Sequence, residues 1–269
     1  MISIQSPDCH AFRDRVRSKR TGDAAHVSSL SAVEQLLLAW FRANGRHLPW
    51  RRTRDPYAIL VSEVMLQQTQ VERVVPRYEA WLERWPTVEA LAAAPRSDVI
   101  REWQGLGYNR RAVNLHRAAG LVAAQGWPED LTELPGVGRY TADAVARFAL
   151  EEDVLPVDVN VTRVIERTHG RFGPASAHAL MDLGATVCLA RIPRCASCPL
   201  REECPSRGRR FEPLREQKPF EGSFRQLRAH TLRLVAERER RAAELDGDAV
   251  AALARDGLVR LEGGRVRLP

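Results

Sequence analysis

The chain has 269 residues, 44% of them hydrophobic, enough for one large domain or two to three small ones around a core. No run of about 18 apolar residues occurs and no apolar signal segment opens the chain. A membrane span and export are therefore not expected, and the cytoplasm (near the nucleoid of a bacterium or archaeon) is the expected compartment. The net charge of +7 favours a polyanion partner, carried almost entirely by arginine because Lys19 and Lys218 are the only lysines.

Residues 1–30 mix Pro7, Gly22 and several serines and read as a disordered or loosely packed leader. Ser31 is placed to cap a helix running to Phe41, with Glu34 completing a capping box and Val33, Leu36, Leu37, Trp40 and Phe41 on one face. His47–Leu48–Pro49–Trp50–Arg51 forms a rigid loop, in which Trp50 either plugs the core or joins Arg51 in lining a pocket for a flat ligand. Asp55–Pro56 opens the next helix, apolar at Ile59, Leu60, Val61, Val64, Met65 and Leu66. Glu63 interrupts that run, where a carboxylate is costly unless paired or used. Either it makes a buried salt bridge to an arginine such as Arg51 or Arg54, or burial raises its pKa so that it holds a proton at neutral pH. Gln67 follows one turn on, and Gln68 and Thr69 end the helix as a polar tip.

Shorter helices are expected at 71–83 and 87–94, with Pro76, Pro86 and Pro95 at their ends or first turns, and another from Ser97 towards Gly105. Gly105–Leu106–Gly107–Tyr108 is a glycine turn, and 110–124 a basic amphipathic helix carrying Arg110, Arg111, His116 and Arg117. A second glycine turn, Leu134–Pro135–Gly136–Val137–Gly138, runs directly into a helix with Tyr140, Ala144, Val145 and Phe148 in apolar spacing. The outward amides of such a turn suit a phosphate oxygen, although many such turns merely join helices. Asp158 precedes Val161, Val164 and Ile165, either as a plain helix cap or as an isolated functional carboxylate. Nothing between residues 31 and 186 alternates convincingly like a strand.

Cys9 is alone, whereas Cys188, Cys195, Cys198 and Cys204 follow C-x6-C-x2-C-x5-C in one arginine-rich loop. Without an export signal disulfides are not expected, which leaves zinc or a [4Fe–4S] cluster. Structural zinc takes two short pairs around a spacer, so a single short pair flanked by longer intervals favours one cluster per chain. Beyond the loop, Pro213 and Pro219 mark a basic linker, 223–242 and 248–255 read as helices, and 257–268 alternates about a Gly–Gly turn as a hairpin. Helices followed by a hairpin suggest a small winged-helix-like appendage.

LPW at 48–50, SEVMLQQTQV at 62–71, GLGY at 105–108, LPGVGRYTA at 134–142, VDVNVTRV at 157–164, MDLG at 181–184 and the four cysteines occur in one order along the chain. Together they resemble the helix-hairpin-helix DNA glycosylase superfamily, and within it the A/G-mismatch adenine glycosylases, over roughly residues 31–210. The resemblance implies an all-α core of two helical domains with an iron–sulfur cluster loop and a catalytic cleft between the domains. Here 52–150 would be the six-helix domain, 31–51 plus 151–210 the cluster-bearing domain, and 211–269 a linker with the small α/β appendage. A monomer acting on double-stranded DNA with a mismatched or damaged base pair is implied, with no membrane partner.

By the same resemblance Glu63 matches the catalytic glutamate that protonates adenine N7 and later handles the water, and Asp158 the aspartate that stabilises the oxocarbenium-like sugar. Tyr140 stands where lyase-competent relatives carry a Schiff-base lysine, which implies a monofunctional glycosylase. Gln67 and Gln68, with the following Thr69, match residues near the adenine and the lesion pair, and Trp50 and Arg51 resemble pocket residues. Leu106 and Tyr108 match a loop that wedges into the duplex, and Gly136 and Gly138 the hairpin that holds the backbone. Three departures stand out. Residues 218–269 are too short for the Nudix-like C-terminal domain usual in that branch, so none is expected within this sequence, the stretch from Arg167 to MDLG is short, and Asn109 and Val159 replace a tyrosine and a glycine common in the family. The expected reaction is excision of adenine opposite 8-oxoguanine or guanine. The alternatives are a thymine or uracil mismatch glycosylase acting opposite guanine, and a non-catalytic DNA-binding module.

Overall fold

The computed structural model describes residues 30–212 and 219–269; most of the expected leader, with Cys9, and residues 213–218 of the linker lie outside them. In chain order come α1 (Ala32–Asn44), a 3-10 turn (Pro49–Arg52), α2 (Pro56–Leu66), α3 (Val71–Arg84), α4 (Val88–Ala93), α5 (Arg96–Glu102) and α6 (Arg110–Gln125). Then follow α7 (Arg139–Leu150), α8 (Val159–Thr168), α9 (Ala177–Thr186), α10 (Phe224–Glu237), β1 (Arg240–Arg241), α11 (Gly247–Arg255), β2 (Arg260–Glu262) and β3 (Arg265–Arg267). The molecule is mostly helical, with a small strand-bearing C-terminal part. Among the described residues no helix is long and apolar enough to cross a membrane.

The described residues fall into two compact units, 57–138 with 219–269, and 30–56 with 139–212. In the first, α2 is buried along its length from Tyr57 to Met65, Glu63 included. Trp81 packs edge-on against Trp85 and Trp103, with centroids 4.7 and 5.4 Å away. Pro76 lies inside α3 rather than at an end. The buried stripe of Val74, Tyr78 and Trp81 carries the helix through the missing hydrogen bond. The C-terminal elements share the core of this unit: Leu232, Val235, Leu253 and Val266 pack with Ile100 of α5 and Val113 of α6.

The hairpin expected near the C-terminus is present, with Gly263 and Gly264 both at positive φ as a tight two-residue turn requires. A third strand joins it. Residues 240 and 241, expected to continue the helix from 223, instead pair with β3, giving an antiparallel sheet in the order β1-β3-β2.

In the second unit Ser31 and Glu34 form the expected capping box, and Glu34 does more than cap. Its Oε1 accepts from the Gly173 amide at 2.6 Å and the Ser176 hydroxyl at 3.3 Å, which ties α1 to a distant turn. Glu34 and Leu37 are therefore the buried residues of α1, while Leu36, expected on the core face, is exposed. Val161 and Val164 of α8 pack with Leu180 and Leu183 of α9. The two helices meet so closely at Gly184 that a Cβ there would lie 2.7 Å from Asn160 Cβ.

Candidate active site

The first unit carries Glu63. It sits on α2 with 6% exposure, between Ser62 and Val64, which are also buried. Of the arginines considered beside it in the sequence, Arg51 pairs with Asp182 and Arg54 with Glu151. Past the helix end Gln67 is half-buried, and Gln68 is exposed with a left-handed backbone, φ +55°.

The end of α2 is held by a residue expected on a basic outer face. Arg111 of α6 is instead buried, at 8% exposure. Its Nη1 donates to the carbonyls of Val64, Met65 and Gln67 at 2.7–2.9 Å. Its Nη2 donates to the Thr69 hydroxyl and to the carbonyls of Leu106 and Gly107 at 2.9–3.1 Å. Burial pushes the guanidinium down to about 10, so it stays a cation at neutral pH. The negative end of the α2 dipole supplies its compensating charge.

Within the glycine turn, Gly105 and Gly107 take φ of +92° and +75°, and Tyr108 is itself left-handed at +45°. Leu106 is buried and anchors the turn, while the Tyr108 side chain stands 44% exposed. In the second glycine turn only Gly136 needs to be glycine. Its φ is +80° and a Cβ would come within 2.9 Å of Asn114 Cβ, whereas Gly138 has neither restriction. The Val137 amide closes the turn on the Leu134 carbonyl at 3.1 Å, and α7 begins at Arg139.

The second unit carries the other candidates. Asp158 is the N-cap of α8: Oδ1 accepts from the amides of Asn160 and Val161 at 2.9 and 2.7 Å, and Oδ2 from the Asn160 side chain at 2.9 Å. These bonds fix the orientation of the carboxylate. Tyr140 is half-buried in the first turn of α7. Trp50 is buried, and with Arg51, Arg54, Arg147 and His178 it borders an open pocket of about 370 Å³.

Asp182, in the MDLG stretch, is the residue that sequence reasoning passed over. Almost wholly buried, it accepts from the Arg46 amide and Nε at 2.8 and 2.7 Å and from both terminal nitrogens of Arg51 at 2.9 and 2.8 Å. Burial alone would raise its pKa, but the Arg51 fork, the Arg46 amide and both cationic charges hold it below the usual carboxylate value. Nearby, His178 stacks on Phe148 at 4.1 Å, and burial, with the charge of Arg51, pushes it down to about 4.

The [4Fe–4S] expectation is corrected. Among the described residues no group of three or more His, Cys, Asp or Glu side chains is disposed to hold a metal ion. Cys188, Cys195, Cys198 and Cys204 are free thiols bordering one pocket, and three of them have protein partners of their own. Cys188 Sγ takes Arg167 Nη1 at 3.5 Å, Cys195 Sγ the Gly208 amide at 3.4 Å, and Cys204 bonds to the Arg167 carbonyl at 3.4 Å. Burial, with repulsion from the other three sulfurs, pushes Cys198 up to about 11, which keeps it a neutral thiol. The loop is held by arginines of α8 instead. Arg163 donates to the carbonyls of Gly184 and Cys188, and Arg167 to those of Leu189 and Ala190, at 2.6–2.7 Å.

Residues 61–182 match the HhH-GPD superfamily of base excision DNA repair proteins. The chain is 44% identical over 241 residues to an adenine DNA glycosylase of Mycolicibacterium smegmatis, covering 78% of this chain and 81% of that one. The chain belongs to the HhH-GPD superfamily. An adenine DNA glycosylase of Mycobacterium tuberculosis is 41% identical over 281 residues, covering 87% of this chain and 92% of its own length. Among solved structures, a thermostable thymine-DNA glycosylase aligns with a TM-score of 0.59 at 28% identity, over 64% of this chain and 93% of that one. The superfamily match spans Glu63, both glycine turns and Asp158, and ends on Asp182.

Proposed function

We propose that this chain is an adenine DNA glycosylase that binds double-stranded DNA and hydrolyses the N-glycosidic bond of adenine mispaired with 8-oxoguanine or guanine, the first step of base excision repair. The observation that carries the reading is Glu63, a carboxyl with 6% exposure in a helix buried from Tyr57 to Met65. The adenine glycosylases at 41–44% identity support the same reaction.

Adenine is a poor anionic leaving group, so its departure needs a proton. Glu63 gives one to N7, the C1′–N9 bond breaks, and the base leaves neutral. The sugar gains positive charge as the bond lengthens. The fixed Asp158 carboxylate stabilises that charge without reorganising. Water then adds at C1′ and its proton returns to the Glu63 carboxylate, leaving an abasic site. Tyr140 offers a phenol where a Schiff base would need an amine, so little strand cleavage is expected and borohydride should trap almost no covalent adduct. Extruding the base costs a few kcal/mol, offset in part by insertion of the exposed Tyr108. The amides at 136–138 suit a phosphate of the distorted strand, a contact that positions without specifying. The C-terminal helices and hairpin, read as winged-helix-like, add the exposed arginines 260, 265 and 267 as a further basic surface.

A second reading, removal of thymine opposite guanine, is favoured only by the likeness to the thymine-DNA glycosylase at 28% identity. Thymine has no N7 to take the Glu63 proton. Substituting Glu63→Gln tests the assignment. Adenine release should fall by about 100-fold or more while mismatch affinity stays near wild type. Loss of affinity along with activity would assign Glu63 to folding instead.

A further inference from the structure

We propose that Arg111 is a positioning residue for base extrusion, locking the end of the Glu63 helix and the Gly105–Tyr108 turn into one rigid support. The proposal rests on the glycosylase reading above. Its first ground is the fork itself: one terminal nitrogen serves the chain at 64–67, the other the hydroxyl of Thr69 and the carbonyls at 106–107. The Thr69 hydroxyl, which the fork holds, in turn donates to the Leu106 carbonyl at 3.2 Å. The Val64 carbonyl it holds is in the last turn of the Glu63 helix, so one group joins the end of that helix to the turn.

The second ground is independent. Of the four non-glycine residues with positive φ among the described residues, Gln68 and Tyr108 stand at the two segments that Arg111 joins. Each such backbone costs on the order of 1 kcal/mol and persists only where its surroundings over-determine it. The strain is thus concentrated at the exposed tip that would enter the duplex and at the polar end of α2, with Arg111 beneath both. Tyr108 also lies over the guanidinium, 5.7 Å from ring centroid to Cζ. A wedge pushed into a base stack needs a support that does not yield, and a fork buried among carbonyls supplies one.

Lysine keeps the charge but has a single nitrogen and cannot span both segments. The test uses the full chain, with 2-aminopurine beside the target adenine to report extrusion and single-turnover release to report chemistry. Two duplexes are compared: an intact 8-oxoG:A site, and one whose target adenine is already unstacked by flanking mismatches. On the intact duplex Arg111→Lys should slow extrusion and release together, by on the order of 10- to 100-fold. On the unstacked duplex the loss should shrink to about threefold or less, because the supported step has been bypassed. Tyr108→Ala should behave alike, and the double variant should be no slower than the worse single one.

Equal slowing on both duplexes, or losses that multiply in the double variant, would mean a merely structural role and overturn the proposal. Should Arg111→Lys not fold, Thr69→Val removes one partner of the fork together with that partner's own bond to the Leu106 carbonyl, and should show the same dependence on stacking at smaller size. Its absence would be equally fatal. An inactive wild type would instead overturn the glycosylase reading, and this proposal with it.

Discussion

Replacing Asp182 by asparagine removes one charge from beneath two arginines and leaves the shape unchanged. Asp182 is 1% exposed, and the side chains of Arg51 and Arg46 that it neutralises are 12% and 27% exposed. Removing one partner of a buried ion pair costs about 3–5 kcal/mol, because the charge left behind is uncompensated. Arg46 can regain some hydration, which places the expected loss near the lower end, about 3 kcal/mol. At roughly 2–4 °C per kcal/mol for a chain of this size, calorimetry at pH 7 should show a fall in Tm of about 6–12 °C. The pH dependence is equally specific. A carboxylate held below its ordinary value contributes stability above the unfolded pKa, about 3.9, and loses it only as pH falls through the lower folded value. The gap between wild type and variant should therefore persist from pH 8 down to pH 5 and close only in stronger acid. A loss under about 1 kcal/mol at pH 7, or a gap already closed at pH 5, would refute the buried-charge argument.

The two hairpin glycines should part company. Gly136→Ala forces a Cβ onto Asn114 at a left-handed position and should cost about 1–3 kcal/mol by denaturant unfolding, with DNA affinity falling as well. Gly138→Ala has room, so stability should stay within about 0.5 kcal/mol while affinity for duplex DNA still drops if the backbone approaches a phosphate. His178 works in the opposite pH direction to a salt-bridged histidine. Its pKa is pushed from 6.5 down to about 4, so the unfolded chain binds the proton first and stability is lost on acidification between those values. His178→Phe should flatten the Tm-against-pH profile in that window, a difference on the order of 3 kcal/mol at the acid end.

Local features of the sequence proved readable because their causes are local. Ser31 and Glu34 are three residues apart and cap one another directly. Glu63 was predicted to be buried because its neighbours are apolar on every side of the helix, and Gly263–Gly264 specifies its own turn. The failures come from partners distant in the chain. Arg111 reads as one more arginine on a basic face until the carbonyls of α2, more than 40 residues upstream, close around it. Asp182 and Arg46 are 136 positions apart, and nothing near either announces the other. Residues 240–241 are a strand only because β3 pairs with them, too short for any alternation to register. The cysteine spacing misled for a related reason: intervals along the chain do not say which protein groups engage each sulfur.

The central claim is the identity of the base released. Single-turnover assays on otherwise matched duplexes containing 8-oxoG:A, G:A or G:T, with the free base quantified, test it most directly. The account predicts rapid adenine release from the first two and no thymine release from the third. Thymine release from G:T with adenine left in place would contradict it and assign the pocket to a pyrimidine.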